Sequence, residues 1–415
     1  MIRKNTDGRL LLFAGMIYLL VFQSPLEGLW DPFSYIDEAV ALLGVLYICR
    51  EILVCKRFAF PRYILVATAG LAVFSVAGLL GNVLHRYQPW KSVIVDLYTN
   101  LKFFLAILTG HALFQGVEWE KMKRYGGMHA RVIVLFLFLV FLLDRVFVIW
   151  PGSVRYGFRT AKLFFDHATY LAGAASFLLM LLTIFYEKKN LPFIAMGLIL
   201  LVFTLRSKAF ASAAILAALV IYFIFLKGKV KLWHILLAGG VCVVIAWPQI
   251  RYYFIELGGK STRSVMHGMA FQIAKDYFPL GTGFGTYASA EAAKVFSPVY
   301  EIYDFEYLLR FEKNRQWLGF LNDTFWPIIV GQTGVVGTAA YVFSQGVLFT
   351  KSWKLQNVNV CAFAAVLYGW AHLLISSVAE PAFNNSTAVP FALVMGIALC
   401  AMEKNKFPVL VEKDK

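Results

Sequence analysis

Apolar runs of roughly 15–22 residues recur along the whole chain, the length at which a helix crosses a bilayer. Only one polar interruption between them is long, over 250–322. Inside hydrocarbon a backbone has to satisfy its own N–H and C=O groups, so such runs fold as helices. With 60% apolar and 15% charged residues, the chain falls outside the soluble globular class. The runs lie near 10–22, 36–49, 63–84, 93–114, 132–150, 164–186, 191–205, 209–226, 232–249, 324–349, 357–378 and 388–402. They predict an all-α polytopic membrane protein of about 12 transmembrane helices, one integral membrane domain over 1–415, with a loop subdomain over 250–322 between helices 9 and 10. Leu10–Phe22 follows a basic start but precedes no small-residue cleavage site, so it reads as the first span rather than a removed signal peptide.

The net charge of +15 raises the question of nucleic acid, and its distribution argues against that partner. With the N-terminus inside, 22 of the 39 basic residues fall in inner segments, from Arg3, Lys4 and Arg9 to Lys404, Lys406, Lys413 and Lys415. The short outer loops together hold seven, and the first and last of them none. This is the positive-inside pattern, with both termini cytoplasmic and the long loop outside. The five cysteines, Cys49, Cys55, Cys242, Cys361 and Cys400, sit in spans or at inner boundaries and none is in the long loop. A disulfide framework and a cysteine-rich metal site are both disfavoured. No metalloprotease helix motif, P-loop, nucleophile elbow or metal-ligand cluster is present.

Charges beside or within spans are costly and mark function. Here they favour the outer side: Asp37 and Glu38, Arg86, Asp144 and Arg145, Asp166 and His167, Arg206 and Lys208, and Glu380. Asp96 and Lys102 lie deeper, in the fourth run. Residues 191–226 must cross twice, which allows each crossing roughly 27 Å of helix against a hydrocarbon core of about 30 Å. The Arg206-Ser207-Lys208 turn is therefore expected at or slightly below the outer interface, where two cations suit an anionic lipid headgroup. In the loop, residues 264–278 read as a helix with Met266, Ala270, Ile273 and Tyr277 at helical spacing. Arg263 precedes it with a planar fork suited to phosphate oxygens, and the helix N-terminus adds a favourable field. Gly281, Gly283 and Gly285 permit positive φ and read either as a tight structural turn between the helix and the next segment or as amides that bind anionic oxygens. His267 is a lone loop histidine and is not nominated as a base.

The order of these pieces resembles the O-antigen polymerase and O-antigen ligase superfamily of bacterial envelope glycosyltransferases. The matching segments are Tyr35-Ile-Asp-Glu38, Phe165-Asp-His-Ala-Thr-Tyr170, Leu205-Arg-Ser-Lys-Ala209, Thr262-Arg-Ser264, Pro279-Leu-Gly-Thr-Gly-Phe-Gly285, Asn322-Asp-Thr-Phe-Trp-Pro327 and Gly331-Gln-Thr-Gly-Val-Val-Gly337. Ligases of that superfamily usually place a histidine before the asparagine at the loop's return, where this chain has Leu321. The resemblance therefore favours a Wzy-type polymerase of O-antigen, capsule or exopolysaccharide over a ligase acting on lipid A-core. A flippase for the same lipid-linked oligosaccharide is a competing class, with no internal repeat to support it.

The resemblance implies glycosyl transfer between undecaprenyl-diphosphate-linked donor and acceptor on the outer face of the bacterial inner membrane. It implies no cofactor and no metal, and it brings a chain-length regulator and a flippase as partners. Arg206 and Arg263, supported by Lys208, would stabilise the departing diphosphate. Asp323 is the first candidate for the base, with Asp166 or His167 second. Asp37 and Glu38 would orient the acceptor or pair with an arginine. Asn322 and the three glycines would contact substrate, and Tyr287, Trp317 and Trp326 would either stack on sugar rings or, the more usual role for such residues, anchor the chain at the membrane interface.

Overall fold

The computed structural model describes residues 6–54, 60–226, 240, 247, 251, 261–310 and 318–403. The expected ninth span falls almost wholly outside them, as do Cys55, Cys242, Trp317 and most of the first part of the long loop. The described chain is mostly helical with almost no strand. Its main helices are α1 (Thr6–Val21), α2 (Ile36–Leu53), α3 (Arg62–His85), α4 (Trp90–Leu113), α5 (Trp119–Phe147), α6 (Ala168–Ile184), α7 (Leu191–Phe203), α8 (Ser207–Leu219), α9 (Thr262–Asp276), α10 (Trp326–Trp353), α11 (Val360–Ser376) and α12 (Ala388–Glu403). Strands β1 (Val154–Arg155) and β2 (Phe158–Arg159) form a small antiparallel hairpin after α5.

Among the described residues four helical stretches are long and apolar enough to cross a membrane: Arg62–His85, Trp90–Leu113, Ser207–Phe225 and Trp326–Asn357. Helices α6, α11 and α12 are apolar but shorter. Apolar side chains also face outward, such as Val66, Val73, Val76 and Val83 on α3 and Phe136, Leu139 and Leu143 on α5. Helices that are apolar all round are what lipid demands, because neither face meets water.

Tight helix contact comes from small residues. On α4, a side chain at Gly110 would sit 2.0 Å from the Leu393 carbonyl of α12, and one at Gly396 of α12 would sit 2.0 Å from the Ile107 carbonyl. Glycine at both crossings lets the backbones touch, the device that replaces hydrophobic drive in lipid. Beside this contact lies a buried ion pair. Lys102 Nζ on α4 reaches Asp37 Oδ2 at 2.5 Å and Glu38 Oε1 at 2.9 Å on α2. Gln23 donates to Asp37 Oδ1 at 2.6 Å. The partner of Asp37 and Glu38 is thus a lysine rather than an arginine. Asp37, at 1% exposure, is part of the scaffold.

The described loop residues build a core of their own from Met266, Ala270, Ile273, Tyr287, Val299, Tyr300, Phe305 and Leu321, closed against Ile328 of α10. Its anchor is the glycine turn. Helix α10 breaks at Gly334 (φ 59°, ψ −158°), which leaves carbonyls without an intrahelical donor, a state hydrocarbon tolerates only when another group supplies the bond. The turn supplies it. Thr282 N donates to Gly331 O at 3.1 Å and Gly283 N to Gln332 O at 2.8 Å. From the other side, Asn82 of α3 bonds Phe284 N at 2.8 Å and Phe284 O at 2.9 Å.

The glycines at 281, 283 and 285 all have positive φ, +74°, +98° and +75°, conformations in which other residues are strained. A Cβ at Gly283 would lie 2.5 Å from Asn82 N. Gly283→Ala is therefore expected to lose several kcal/mol of stability through backbone strain and overpacking together. Thermal unfolding of the purified protein checks this, with Gly157→Ala as control. Gly157 also has positive φ (+79°), but a side chain there meets nothing within 4 Å.

Candidate functional site

Two turns and a helix end bring a row of charged side chains together. The Arg206 turn separates α7 from α8, with Leu205 just before it in the left-handed region (φ 51°). His167 occupies the N-cap position of α6. Glu380 follows α11, and Asp323 closes the short turn Gly319–Asn322 that leads into α10.

Arg206 Nη2 meets His167 Nε2 at 2.7 Å. A guanidinium can only donate, so Nε2 accepts and the imidazole proton lies on Nδ1. Nδ1 then donates to Thr169 Oγ1 at 2.7 Å. Lys208 pairs with Glu380, both largely buried. Asp323 Oδ2 lies 3.6 Å from Nη2 of Arg263, the first-turn arginine of α9. Arg263 is further fixed through its carbonyl, which accepts from His267 Nδ1 at 2.8 Å. Two ion pairs, Lys208–Glu380 and Arg263–Asp323, thus join residues far apart in sequence, and the Glu380 charge acts on Asp323.

The electrostatics follow from this order. Burial raises the Asp323 carboxyl above its ordinary value and the Glu380 charge raises it further, while Arg263 opposes both. Burial holds His167 below the imidazole value, and the charges of Arg206, Lys208 and Arg155 push it the same way. Arg155 comes from β1 and also faces Arg206. His167 is therefore neutral in the folded protein at neutral pH. As pH falls through the ordinary value of 6.5, the unfolded chain takes the proton first, so this arrangement loses stability on the acid side. Nitrogen-15 NMR of the histidine is expected to titrate with a midpoint below 6.5. The midpoint should rise in Arg206→Ala; one that stays put would remove the Arg206 charge as a cause.

An apolar groove of about 520 Å³ runs beside the cations. Tyr156 and Phe158 of the hairpin form one wall, and Val202, Phe203, Leu205 and Phe210 the other. Leu205 and Ser207, the two neighbours of Arg206, both line it. Arg206 Nε is buried and meets no acceptor among the described residues.

The geometry corrects the expected roles of the three glycines and of Tyr287, and it places Trp326, Asp166 and Asn322. Gly281, Gly283 and Gly285 do not present free amides. Gly281 N is held by Tyr277 O at 2.9 Å and Gly283 N by Gln332 O, and Gly285 N donates to Asp96 Oδ2 at 2.9 Å. The anionic oxygen in that turn is the protein's own. Tyr287 is fully buried with its hydroxyl on Met266 O at 2.7 Å, so it cannot stack on a sugar. Trp326 is half-buried and its indole donates to Ser377 Oγ at 3.0 Å, fastening α10 to the end of α11. Asp166 accepts from Ser24 Oγ at 3.2 Å. It lies near Glu27, whose carboxyl is raised by partial burial and then by Asp166, Asp37 and Asp31. Asp166 therefore belongs to an acidic patch, although it adjoins His167 in sequence. Asn322 is half-buried in the turn before Asp323. Two contributors were not singled out for the site from the sequence: Arg155, in the unremarkable segment between α5 and α6, and Glu380, noted there only as a charge beside an apolar run.

No protein-family model matches the chain, and no curated protein matches it.

Proposed function

We propose that the protein is a membrane glycosyltransferase that joins polyprenyl-diphosphate-linked oligosaccharide units into a longer glycan, a polymerase of the Wzy type. The observation that carries this reading is the apolar groove that flanks the Arg206 turn, with a carboxylate of raised basicity, Asp323, paired to Arg263. A lipid-linked diphosphate has an anionic head and a long apolar tail, and Arg206 beside the 520 Å³ groove offers a surface for each. The reading includes about 12 spans with both termini in the cytoplasm of a bacterium, and the site on the outer face of the inner membrane.

In the proposed reaction the acceptor hydroxyl oxygen attacks the anomeric carbon of the donor. Its proton passes to Asp323. The bond from that carbon to the diphosphate oxygen breaks, and the electron pair leaves with the polyprenyl diphosphate. Arg206, Arg263 and Lys208 are preorganised cations for the charge that develops there. The Arg206–His167 bond gives the arginine a resting partner. When Arg206 turns to phosphate, His167 Nε2 is released as a second acceptor for a proton.

The test is reconstitution of the full-length protein in lipid with an undecaprenyl-diphosphate-linked repeat unit, with products resolved on a gel. A ladder of lengths is expected. Loss of substrate from the outer leaflet without elongation would instead mean transport. Transfer to a lipid A-core acceptor alone would mean ligation.

A further inference from the structure

Four half-buried aromatic rings gather at the far end of α9 from Arg263. His85 and Tyr87, at and after the end of α3, lie with rings nearly parallel and centroids 5.6 Å apart. Tyr277 meets His85 edge-on at 4.8 Å and 89°, forming a right-angled corner. The Tyr87 and Tyr277 hydroxyls are 2.9 Å apart. Tyr303 donates to Asp276 Oδ2 at 2.7 Å, and Gln272 Nε2 donates to both oxygens of the same carboxylate at 2.8 and 3.0 Å.

Resting on the proposed function, we infer that this corner is a distal saccharide subsite that holds the growing glycan away from the transfer site. The chemistry points to a polyol. Ring faces suit the C–H surfaces of sugars, which carry the positive edge that a π face attracts. An exposed carboxylate and a primary amide, with phenol hydroxyls beside them, offer both donors and acceptors to hydroxyls. A lipid tail would use none of these polar groups. The geometry gives the length. Tyr277 follows Arg263 by 14 residues of α9, which is roughly 21 Å along the helix. That span exceeds one sugar and matches an oligosaccharide, so a chain anchored here stays bound between successive transfers. The substrate class is then an extended glycan, and the corner sets how many units are added per encounter.

The experiment uses the reconstituted full-length protein and the lipid-linked repeat unit, with Tyr277→Leu and, because Tyr277 is half-buried, the exposed Asp276→Ser as a second variant. Two quantities are read: the initial rate of the first transfer and the mean product length. The expected result is a first-transfer rate close to wild type, with mean length reduced roughly fivefold, the effect of losing one aromatic contact. Oligosaccharide released by mild acid from the wild-type product should shorten wild-type chains when added back, and leave the already short chains of the variants unchanged. An unchanged length distribution in both variants would overturn the subsite and leave these rings as interface anchors. An equal fall in first transfer and in length would also overturn it, by showing a structural role. No transfer by wild type would instead count against the proposed function, and this inference would fall with it.

Discussion

Arg206→Ala and Arg263→Ala are each expected to reduce polymer at least 100-fold, while the protein still reaches the membrane. The magnitude follows from the role proposed for them. Removing one preorganised donor from a developing anion costs about 10²–10³ in rate. The two variants differ in what they leave behind. Without Arg206, His167 Nε2 loses its 2.7 Å donor. Without Arg263, Asp323 loses the charge that holds its carboxyl down, so its basicity rises further. Lysine replacements separate charge from shape. Arg206→Lys keeps the cation but not the planar fork, and an intermediate activity is expected. The assay is the ladder from reconstituted protein, normalised to protein in the bilayer. Near-normal ladders from either alanine variant would remove that arginine from the diphosphate site.

Asp323→Asn is expected to lower turnover by about 10²–10⁴, the range for loss of a positioned general base. Donor binding should change little, because the diphosphate contacts lie with the cations. The pH dependence gives an independent signature. The Asp323 carboxyl stands above its ordinary 3.8, through burial and the Glu380 charge. Activity should therefore fall as pH drops through that raised value, as the base becomes protonated. Glu380→Gln removes one of the two raising influences, so this acid limb should move to lower pH. Glu380→Gln also frees Lys208 from its partner, and a rise in affinity for the anionic donor is expected alongside. Unchanged turnover in Asp323→Asn would shift the base to His167, which the same site holds, or to Asp166 on the neighbouring acidic patch.

Some of the site was legible because its signals are local. Arg206, Lys208, His167 and Asp323 announce themselves as charges at the ends of apolar runs, where burial is costly. Arg263 is legible as a guanidinium at the start of an amphipathic segment. The glycine turn was legible as a turn but not in its role. Positive φ is a local property, whereas the partners of the amides come from α3, α4 and α10. Tyr287 is similar: an aromatic residue beside a glycine turn reads equally well as a stacking platform or a core residue, and only its 0% exposure decides.

What the sequence alone determined is the helical character of the chain and the apolar nature of its helices. Hydropathy is summed over neighbours, and a helix closes its hydrogen bonds within itself, so neither needs a distant partner. What only the tertiary structure decided is which polar group meets which. Lys102 takes Asp37 and Glu38 into the scaffold. Asp96 fills the glycine turn, which in turn caps the break at Gly334. Glu380 takes Lys208 of the Arg206 turn. These pairings link residues dozens to hundreds of positions apart. They are fixed because a polar group in a low-dielectric interior must find a partner, and packing determines which one lies within reach.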